Sequence, residues 1–304
     1  MSRSYTVPIN KKETETYNLE EFDILKDLGS RRNICAIINS RRNTGKSVLT
    51  SHLCRQIHSQ KWYSSVFVFS LTAHLQNVFN FVPKENIFKG LDSEKLQQIW
   101  NSQEKMITEE MEKHKNESVE KQEKEKQKLP KILIIMDDII GDQNIRKSKE
   151  LTDLFIAGRH VLISTFIITQ DFKSLHPKVR KQADIAIAFQ LNDETEREAF
   201  VCSYMSIRSK KQGMILFDEI TKEPFNALVV LNFNITHNPE DYIKVIKADI
   251  NTKPFPMGDH NFLDQKRVLK LEDLSNEITQ AQMSVVQGAK IVKSDYARSR
   301  RKRN

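Results

Sequence analysis

The chain of 304 residues lacks long hydrophobic runs. No apolar stretch approaches the roughly 18 residues that a membrane-spanning helix needs, and the first residues lack the apolar segment of a secretory signal peptide. The sequence therefore predicts a protein without a membrane span. Cysteines are also few: Cys35, Cys54 and Cys202 are scattered, without the spacing of metal ligands. They are predicted to be reduced core thiols in a cytosol-like compartment.

The overall composition allows a folded protein but does not identify its function. Hydrophobic residues make up 38% of the chain, enough for a core, so wholesale disorder is not expected. The length allows one large α/β domain with extensions, or two domains. A net charge of +8 favours a polyanionic partner, but ordinary solubility accounts for it nearly as well.

The segment SRRNTGKS, residues 40–47, lies between an apolar run and a helix-like stretch. Strand, loop and helix in this order are typical of a phosphate-binding loop, because successive backbone amides and the helix N-terminus then face one anion. Lys46 would reach the β- and γ-phosphates of ATP, and the Ser47 hydroxyl would bind Mg²⁺. Gly45 would let the backbone approach the phosphate closely. The predicted nucleotide-binding residues are Ser40, Arg41, Arg42, Asn43, Thr44, Gly45, Lys46, Ser47 and Val48.

The loop departs from the pattern G-x-x-x-x-G-K-[ST] at its first position, where Ser40 replaces glycine. That glycine normally relieves the turn after the strand, and serine adopts most of the same conformations at modest cost. The alternative is that TGKS arose by chance in a chain rich in lysine and serine. The predicted strand and helix on either side argue against chance.

A second apolar run, residues 132–136, leads directly into Asp137 and Asp138. A buried strand that ends in two unpartnered carboxylates would be costly as structure alone. After a phosphate loop, the pair predicts a magnesium site at Asp137 and a catalytic base, or water-positioning group, at Asp138. The second position is often glutamate, so the shorter Asp138 makes this assignment less secure than the metal site.

Further apolar runs predict an α/β fold with a mainly parallel sheet. They cover residues 65–71, 161–169 and 183–189, and a helix is predicted over 151–160. Gln170 follows the second of these strands directly. An amide at the carboxyl end of a central strand lies where open α/β sheets bind ligands, so Gln170 is predicted to contact the γ-phosphate or the attacking water.

The remaining segments complete a predicted organisation in three parts. Residues 1–30 form an N-terminal arm, either loose or an edge element. Residues 31–233 form the ATPase domain, closed by a hairpin of 214–220 and 226–233. A charged segment at about 102–129 interrupts it and is either a solvated helix or partly disordered. Residues 234–304, where no further strand is expected, hold an amphipathic helix over 269–292 and the basic tail ARSRRKRN. The tail could bind nucleic acid, an acidic surface or an import receptor, or act only as a solubilising tail.

Three blocks together resemble the DNA-packaging ATPases of large nucleocytoplasmic DNA viruses, of the poxvirus type, within the FtsK–HerA group of ring translocases. The blocks are SRRNTGKS, ILIIMDD and LFIAGRHVLISTFIITQDFKSLHPKVRKQADIAIAF. The third is the most specific, and the resemblance spans residues 34–233. It implies a RecA-like P-loop domain in a homo-oligomeric ring, a pentamer or hexamer. It also implies hydrolysis of ATP with Mg²⁺ to drive double-stranded DNA into a preformed capsid.

The resemblance carries further expectations about partners and residues. It implies capsid or portal-vertex partners, and a location in the host cytoplasm at the viral factory or in the virion. It also implies an arginine that reaches into the site of a neighbouring subunit. Arg159 and Arg180 are the candidates, although either could instead form a surface ion pair or contact the DNA backbone.

Three other functions stay open from the sequence. A cellular or plasmid DNA translocase of the same group would have a nearly identical sequence. A nucleotide-gated binding or docking protein with little turnover is also compatible, because Ser40 and Asp138 depart from the usual residues. A small-molecule kinase is the most distant, since it leaves the GRH and TQ blocks unexplained.

Overall fold

The computed structural model describes residues 2–8, 13–31, 33–73, 77–139, 149–234, 236–253 and 255–257. The strands are, in chain order, β1 (Ser2–Pro8), β2 (Thr14–Glu20), β3 (Cys35–Asn39), β4 (Ser65–Ser70), β5 (Ile87–Lys89), β6 (Ile132–Asp137), β7 (Ile163–Thr169), β8 (Ile185–Ala188), β9 (Asn226–Leu231) and β10 (Ile243–Lys247). The helices are α1 (Ile24–Asp27), α2 (Lys46–Ser59), α3 (Ser93–Lys113), α4 (Val119–Lys128), α5 (Lys149–Ala157), α6 (Pro177–Gln182), α7 (Glu194–Tyr204), α8 (Lys210–Thr221) and α9 (Pro239–Tyr242).

Among the described residues, the main sheet has eight strands in the order β10-β9-β8-β3-β7-β6-β4-β5. The pairs from β8 to β5 are parallel, whereas β9 runs antiparallel to both of its neighbours, β8 and β10. The central strands are buried along their whole length, which explains their continuous apolar runs. The predicted α/β fold with a mainly parallel sheet is confirmed. The carboxyl ends of β3, β4, β6 and β7 share one edge, here called the carboxyl edge.

The N-terminal segment packs beside β10, the strand at one edge of this sheet. Strands β1 and β2 form a separate antiparallel pair, in which Val7 and Leu19 are fully buried. The Phe22 amide then donates to the carbonyl of Val245 in β10 (2.8 Å), and Leu28 after α1 is buried as well. Of the two predicted alternatives, a loose arm and an edge element, the structure shows a packed edge element.

The charged insertion consists of two helices rather than one. Helix α3 begins earlier than predicted because Leu96 and Ile99 pack into the core, and the amide of Gln103 donates to two backbone carbonyls. Its second half and α4 are largely exposed. Ion pairs one helical turn apart, such as Lys121 with Glu117 (2.7 Å), line their surfaces. The predicted solvated character is confirmed, and the break at residues 114–118 was not predicted.

The predicted hairpin of residues 214–220 and 226–233 is wrong. Residues 214–220 belong to helix α8, in which Leu216, Phe217 and Ile220 bury one helical face. Ser209 caps the helix by accepting a hydrogen bond from the Gln212 amide (3.2 Å). Strand β9 pairs antiparallel with β8 and β10 instead.

The prediction that the sheet ends by about residue 234 is also wrong, because β10 extends it to Lys247. Strand β10 gives a weak sequence signal because Lys244 interrupts its apolar residues, although the Lys244 Nζ is buried 3.0 Å from Glu20. The predicted bounds 1–30, 31–233 and 234–304 stay predictions. The amphipathic helix over 269–292 and the basic tail lie outside the described residues.

Two further predictions concern the cysteines and membrane spans. Cys35 and Cys54 are buried free thiols, and burial raises the pKa of both. Cys202 is also a free thiol but is exposed, so the prediction of a core position is wrong for this residue. Within the described ranges, no helix is both long and apolar enough to cross a membrane.

Candidate nucleotide site

The phosphate loop and the acidic pair lie next to each other at the carboxyl edge of the sheet. The Ser40 amide donates to the carbonyl of Thr169 (3.0 Å), which joins the end of β3 to the end of β7. The Asp138 amide donates to the carbonyl of Ile168 (3.0 Å), which joins the end of β6 to the same strand. Gln170 follows β7 directly. Neighbouring parallel strands thus deliver polar side chains to one place.

The phosphate loop has the backbone shape that the sequence requires. Asn43 and Gly45 adopt left-handed conformations, with φ of 61° and 109°. The Thr44 hydroxyl donates to the Arg41 carbonyl (2.8 Å), which closes the turn. Gly45 caps helix α2 without a side chain, so the N-terminus of the helix, with its positive dipole end, lies at the loop.

Ser40, the departure from the phosphate-loop pattern, fits without strain. Among the described non-glycine residues, positive φ angles occur at Asn43, Lys61, Asp138, Leu162 and Phe225. The backbone of Ser40 therefore does not adopt the left-handed conformation, and the turn at this position does not require glycine. Its side chain is fully buried, and its hydroxyl has no hydrogen-bond partner among the described residues.

Four of the predicted site residues contact one another directly. The Lys46 ammonium donates to the Asp138 carboxylate and lies 3.8 Å from Oδ1 of Asp137. The Gln170 amide donates to Oδ2 of Asp138 (2.8 Å). Lys46 therefore neutralises the two carboxylates that the sequence predicts as the metal ligand and the catalytic base.

Asp137 is the more buried of the two carboxylates. Burial raises its pKa to about 6; the positive charge of Lys46 opposes the shift, and the negative charge of Asp138 reinforces it. The Ser70 hydroxyl donates to Oδ2 of Asp137 (3.2 Å) and orients the carboxylate. Asp137 offers a poorly solvated carboxylate, and Ser47 offers a hydroxyl in the first turn of α2; both are oxygen ligands of the kind that Mg²⁺ prefers. The donor set therefore fits the predicted metal.

Asp138 holds its carboxylate in place through an unusual backbone conformation. Its φ is 51°, in the left-handed region, which aspartate tolerates better than most residues. The hydrogen bond from its amide to Ile168 continues the pairing of β6 and β7 and fixes this conformation. The strand thus turns sharply at Asp138, and residues held in such conformations cluster at functional sites.

Arg159 does not belong to this site within one subunit. It is exposed in a 3₁₀ turn (Gly158–Val161) just before β7, at the amino end of the strand. Burial raises the pKa of Asp184 at the start of β8, and the nearby positive charge of Arg159 partly opposes this. The five residues of β3 separate that end of the sheet from the phosphate loop by about 16 Å.

Arg180 lies on helix α6 and contacts two aromatic residues outside it. Its guanidinium lies over the ring of Phe172, 5.1 Å from the ring centroid, and its carbonyl accepts a hydrogen bond from the Tyr204 hydroxyl (2.7 Å). A role for Arg159 or Arg180 in the site of a neighbouring subunit stays a prediction.

Two residues at the carboxyl edge were missed by the sequence reasoning. Ser70 ends strand β4 and contacts Asp137; it was missed because the predicted apolar run continued to residue 71 and placed Ser70 inside the strand. Phe225 lies beside Gly45: a Cβ atom on this glycine would come within 2.8 Å of Phe225 Cδ1. No sequence signal pointed to Phe225, because the segment before β9 was read as a hairpin turn.

These features define the class of the protein. A phosphate loop between β3 and α2, with an acidic pair on a nearby parallel strand, is the site of a P-loop nucleoside triphosphatase fold. The chain belongs to the poxvirus A32 protein family, which matches residues 35–252. It is also similar to the uncharacterized protein 015R of Frog virus 3 (isolate Goorha), with 25% identity over 117 residues. That match covers 38% of this chain and only 36% of the length of its relative.

Several solved structures resemble the chain at low identity. The genome packaging NTPase B204 from Sulfolobus turreted icosahedral virus 2, in complex with AMP, is 16% identical (TM-score 0.45; 72% of this chain and 99% of that chain). EssC (ATPases 2 and 3) from Geobacillus thermodenitrificans is 13% identical (TM-score 0.48; 92% and 49%). The pCW3 conjugation coupling protein TcpA is 12% identical (TM-score 0.49; 88% and 70%). With TM-scores below 0.5, these likenesses add nothing to the strand order and registers described above.

Proposed function

We propose that the chain is an ATP-hydrolysing motor that moves double-stranded viral DNA into a preformed capsid, acting as a homo-oligomeric ring. The convergence of Lys46, Asp137, Asp138 and Gln170 beside the phosphate loop carries the ATPase part of the proposal. Membership of the poxvirus A32 family supports the packaging part, together with the sequence blocks that resemble packaging ATPases.

The contacts of Lys46 suggest how nucleotide binding would prepare Asp138 for catalysis. A triphosphate competes with the carboxylates for the Lys46 ammonium, which then moves from Asp138 to the phosphates. Mg²⁺, held by Ser47 and Asp137, would neutralise charge on the phosphate oxygens. Asp138 loses the contact with Lys46 but keeps its hydrogen bond from Gln170 (2.8 Å), so its carboxylate can accept a hydrogen bond from the attacking water.

The position of Arg159 fits a contribution between subunits. It is exposed and lies at the end of the sheet opposite its own phosphate loop, so it would serve a neighbouring site rather than its own. Arg180 is the alternative donor. Capsid or portal-vertex partners, and a location in the host cytoplasm or the virion, belong to the same proposal.

Phosphate release from Mg·ATP, measured with and without linear double-stranded DNA, tests the proposed function. We expect DNA to raise the steady-state rate several-fold, because a translocating motor couples its ATPase cycle to the duplex. Single-stranded DNA of equal nucleotide concentration is the control for simple binding of a polyanion. ATP binding without turnover, with or without DNA, would contradict the proposal and favour the nucleotide-gated docking protein.

A further inference from the structure

Phe225 lies against the phosphate loop although 180 residues separate it from Gly45. A Cβ atom added to Gly45 would come within 2.8 Å of Cδ1 of Phe225 and 3.5 Å of Cε1 of Phe189. Phe189 is buried beneath the surface, whereas the Phe225 ring is partly exposed. An aromatic surface therefore lies beside the loop, open to solvent on one side.

The backbone at Phe225 is held in an unfavourable conformation. Its φ is 67°, in the left-handed region that bulky side chains rarely adopt and that glycine and asparagine adopt more easily. The Phe225 carbonyl accepts a hydrogen bond from the Ala248 amide (3.0 Å) just beyond β10, which fixes the turn before β9. An aromatic ring is thus present where a smaller residue would stabilise the turn better.

The strand order determines which end of a nucleotide would lie at Phe225. Asp138 and Gln170 follow β6 and β7, on one side of β3, and they mark the place of the γ-phosphate. Phe189 follows β8 and Phe225 precedes the antiparallel β9, on the other side of β3. A triphosphate that crosses the loop with its terminal phosphate at Asp138 leaves its nucleoside on the side of Phe225.

We propose that Phe225 forms the wall on which the base of the bound nucleoside triphosphate stacks. The proposal rests on the nucleotide site proposed above and adds its base subsite. Stacking on an aromatic face needs no hydrogen-bond donor and grows with the overlapping area, so it favours purines over pyrimidines. Phe225 would therefore select a purine nucleotide without distinguishing adenine from guanine.

A purely structural role for Phe225 predicts a different result. If the ring only supports the phosphate loop at Gly45, its loss would disturb the binding of any triphosphate, with or without a base. If the ring stacks on the base, its loss would weaken ATP and spare inorganic tripolyphosphate. The two ligands share their phosphates and differ in the nucleoside, so their comparison isolates the contribution of the base.

The experiment measures dissociation constants of ATP, CTP and inorganic tripolyphosphate, each with Mg²⁺, for the native chain, Phe225→Asn and Phe225→Tyr. Asparagine tolerates the left-handed backbone, so Phe225→Asn should keep the turn before β9. We expect Phe225→Asn to weaken ATP about tenfold, to leave tripolyphosphate unchanged and to abolish the preference for ATP over CTP. Phe225→Tyr should bind all three ligands as the native chain does.

Each other outcome has a defined meaning. Equal weakening of ATP and tripolyphosphate in Phe225→Asn would show that the ring only supports the loop and would overturn the inference. Unchanged ATP affinity in this variant, or a native chain that binds ATP and CTP equally, would overturn it too. A native chain that binds none of the three ligands would contradict the proposed function itself. It would also contradict the base subsite, which depends on that function.

Discussion

Replacement of Lys46 by alanine is expected to weaken ATP binding about 100-fold. The Lys46 ammonium lies at the end of the phosphate loop, and charge-assisted hydrogen bonds to phosphate oxygens are among the strongest that a side chain makes. Alanine at this position leaves the backbone amides of the loop but removes the positive charge that the triphosphate would meet. Titration of Mg·ATP by calorimetry measures the change.

The same substitution should also destabilise the nucleotide-free chain. The positive charge of Lys46 compensates the negative charges of Asp137 and Asp138. The Lys46 and Asp137 side chains are only 13% and 10% exposed. Removal of one partner leaves a poorly solvated carboxylate without compensation, which costs about 2 kcal/mol of the free energy of unfolding. Denaturant unfolding without nucleotide measures this loss.

Lys105→Ala is the matched control for Lys46→Ala. Lys105 lies on the exposed surface of α3 and pairs only loosely with Glu109, at 3.9 Å. Its removal should change neither ATP affinity nor stability measurably. Native-like ATP binding by Lys46→Ala would contradict the assignment of residues 40–47 as the phosphate loop.

Asp138→Asn is expected to lower the rate of ATP hydrolysis at least 100-fold while ATP affinity is kept or increased. Asparagine preserves the size of the side chain and tolerates the left-handed backbone, but it cannot accept the proton of the attacking water. It also releases Lys46 from its carboxylate partner, which removes a competitor of the triphosphate. Single-turnover phosphate release and equilibrium binding of ATP separate these two effects.

Asp92→Asn is the control for the charge change in Asp138→Asn. Asp92 caps helix α3 by accepting a hydrogen bond from the Lys95 amide (2.9 Å), and asparagine caps helices equally well. This variant should hydrolyse ATP at the native rate. Hydrolysis by Asp138→Asn within a few-fold of native would show that another group activates the water.

The sequence predicted the reactive end of the site because each of its parts ends a buried parallel strand. Such strands give continuous apolar runs, and a polar residue that follows one directly must lie at the carboxyl edge. This argument applies to Asp137, Asp138 and Gln170. Ser70 lies at the same edge but was missed, because the predicted run of residues 65–71 placed it inside the strand, whereas β4 ends at Ser70. The same argument places Arg159, which precedes its strand, at the opposite edge.

The base side of the site could not be predicted in this way. Residues 214–217 are four apolar residues in a row, and such a short run does not distinguish a strand from the buried face of a helix. Phe225 reaches the carboxyl edge only because β9 is antiparallel and begins there. Strand direction depends on long-range pairing with β8, which no local pattern in the chain reveals.

The most direct test of the proposed motor is the displacement of a third DNA strand from a triplex formed on a linear duplex. With Mg·ATP, the native chain is expected to release the third strand at a rate that depends on hydrolysis. Asp138→Asn, which should bind ATP without turnover, is expected to leave the triplex intact. Hydrolysis of ATP by the native chain without any displacement would contradict the account, because the site would then be an ATPase that does not move along DNA.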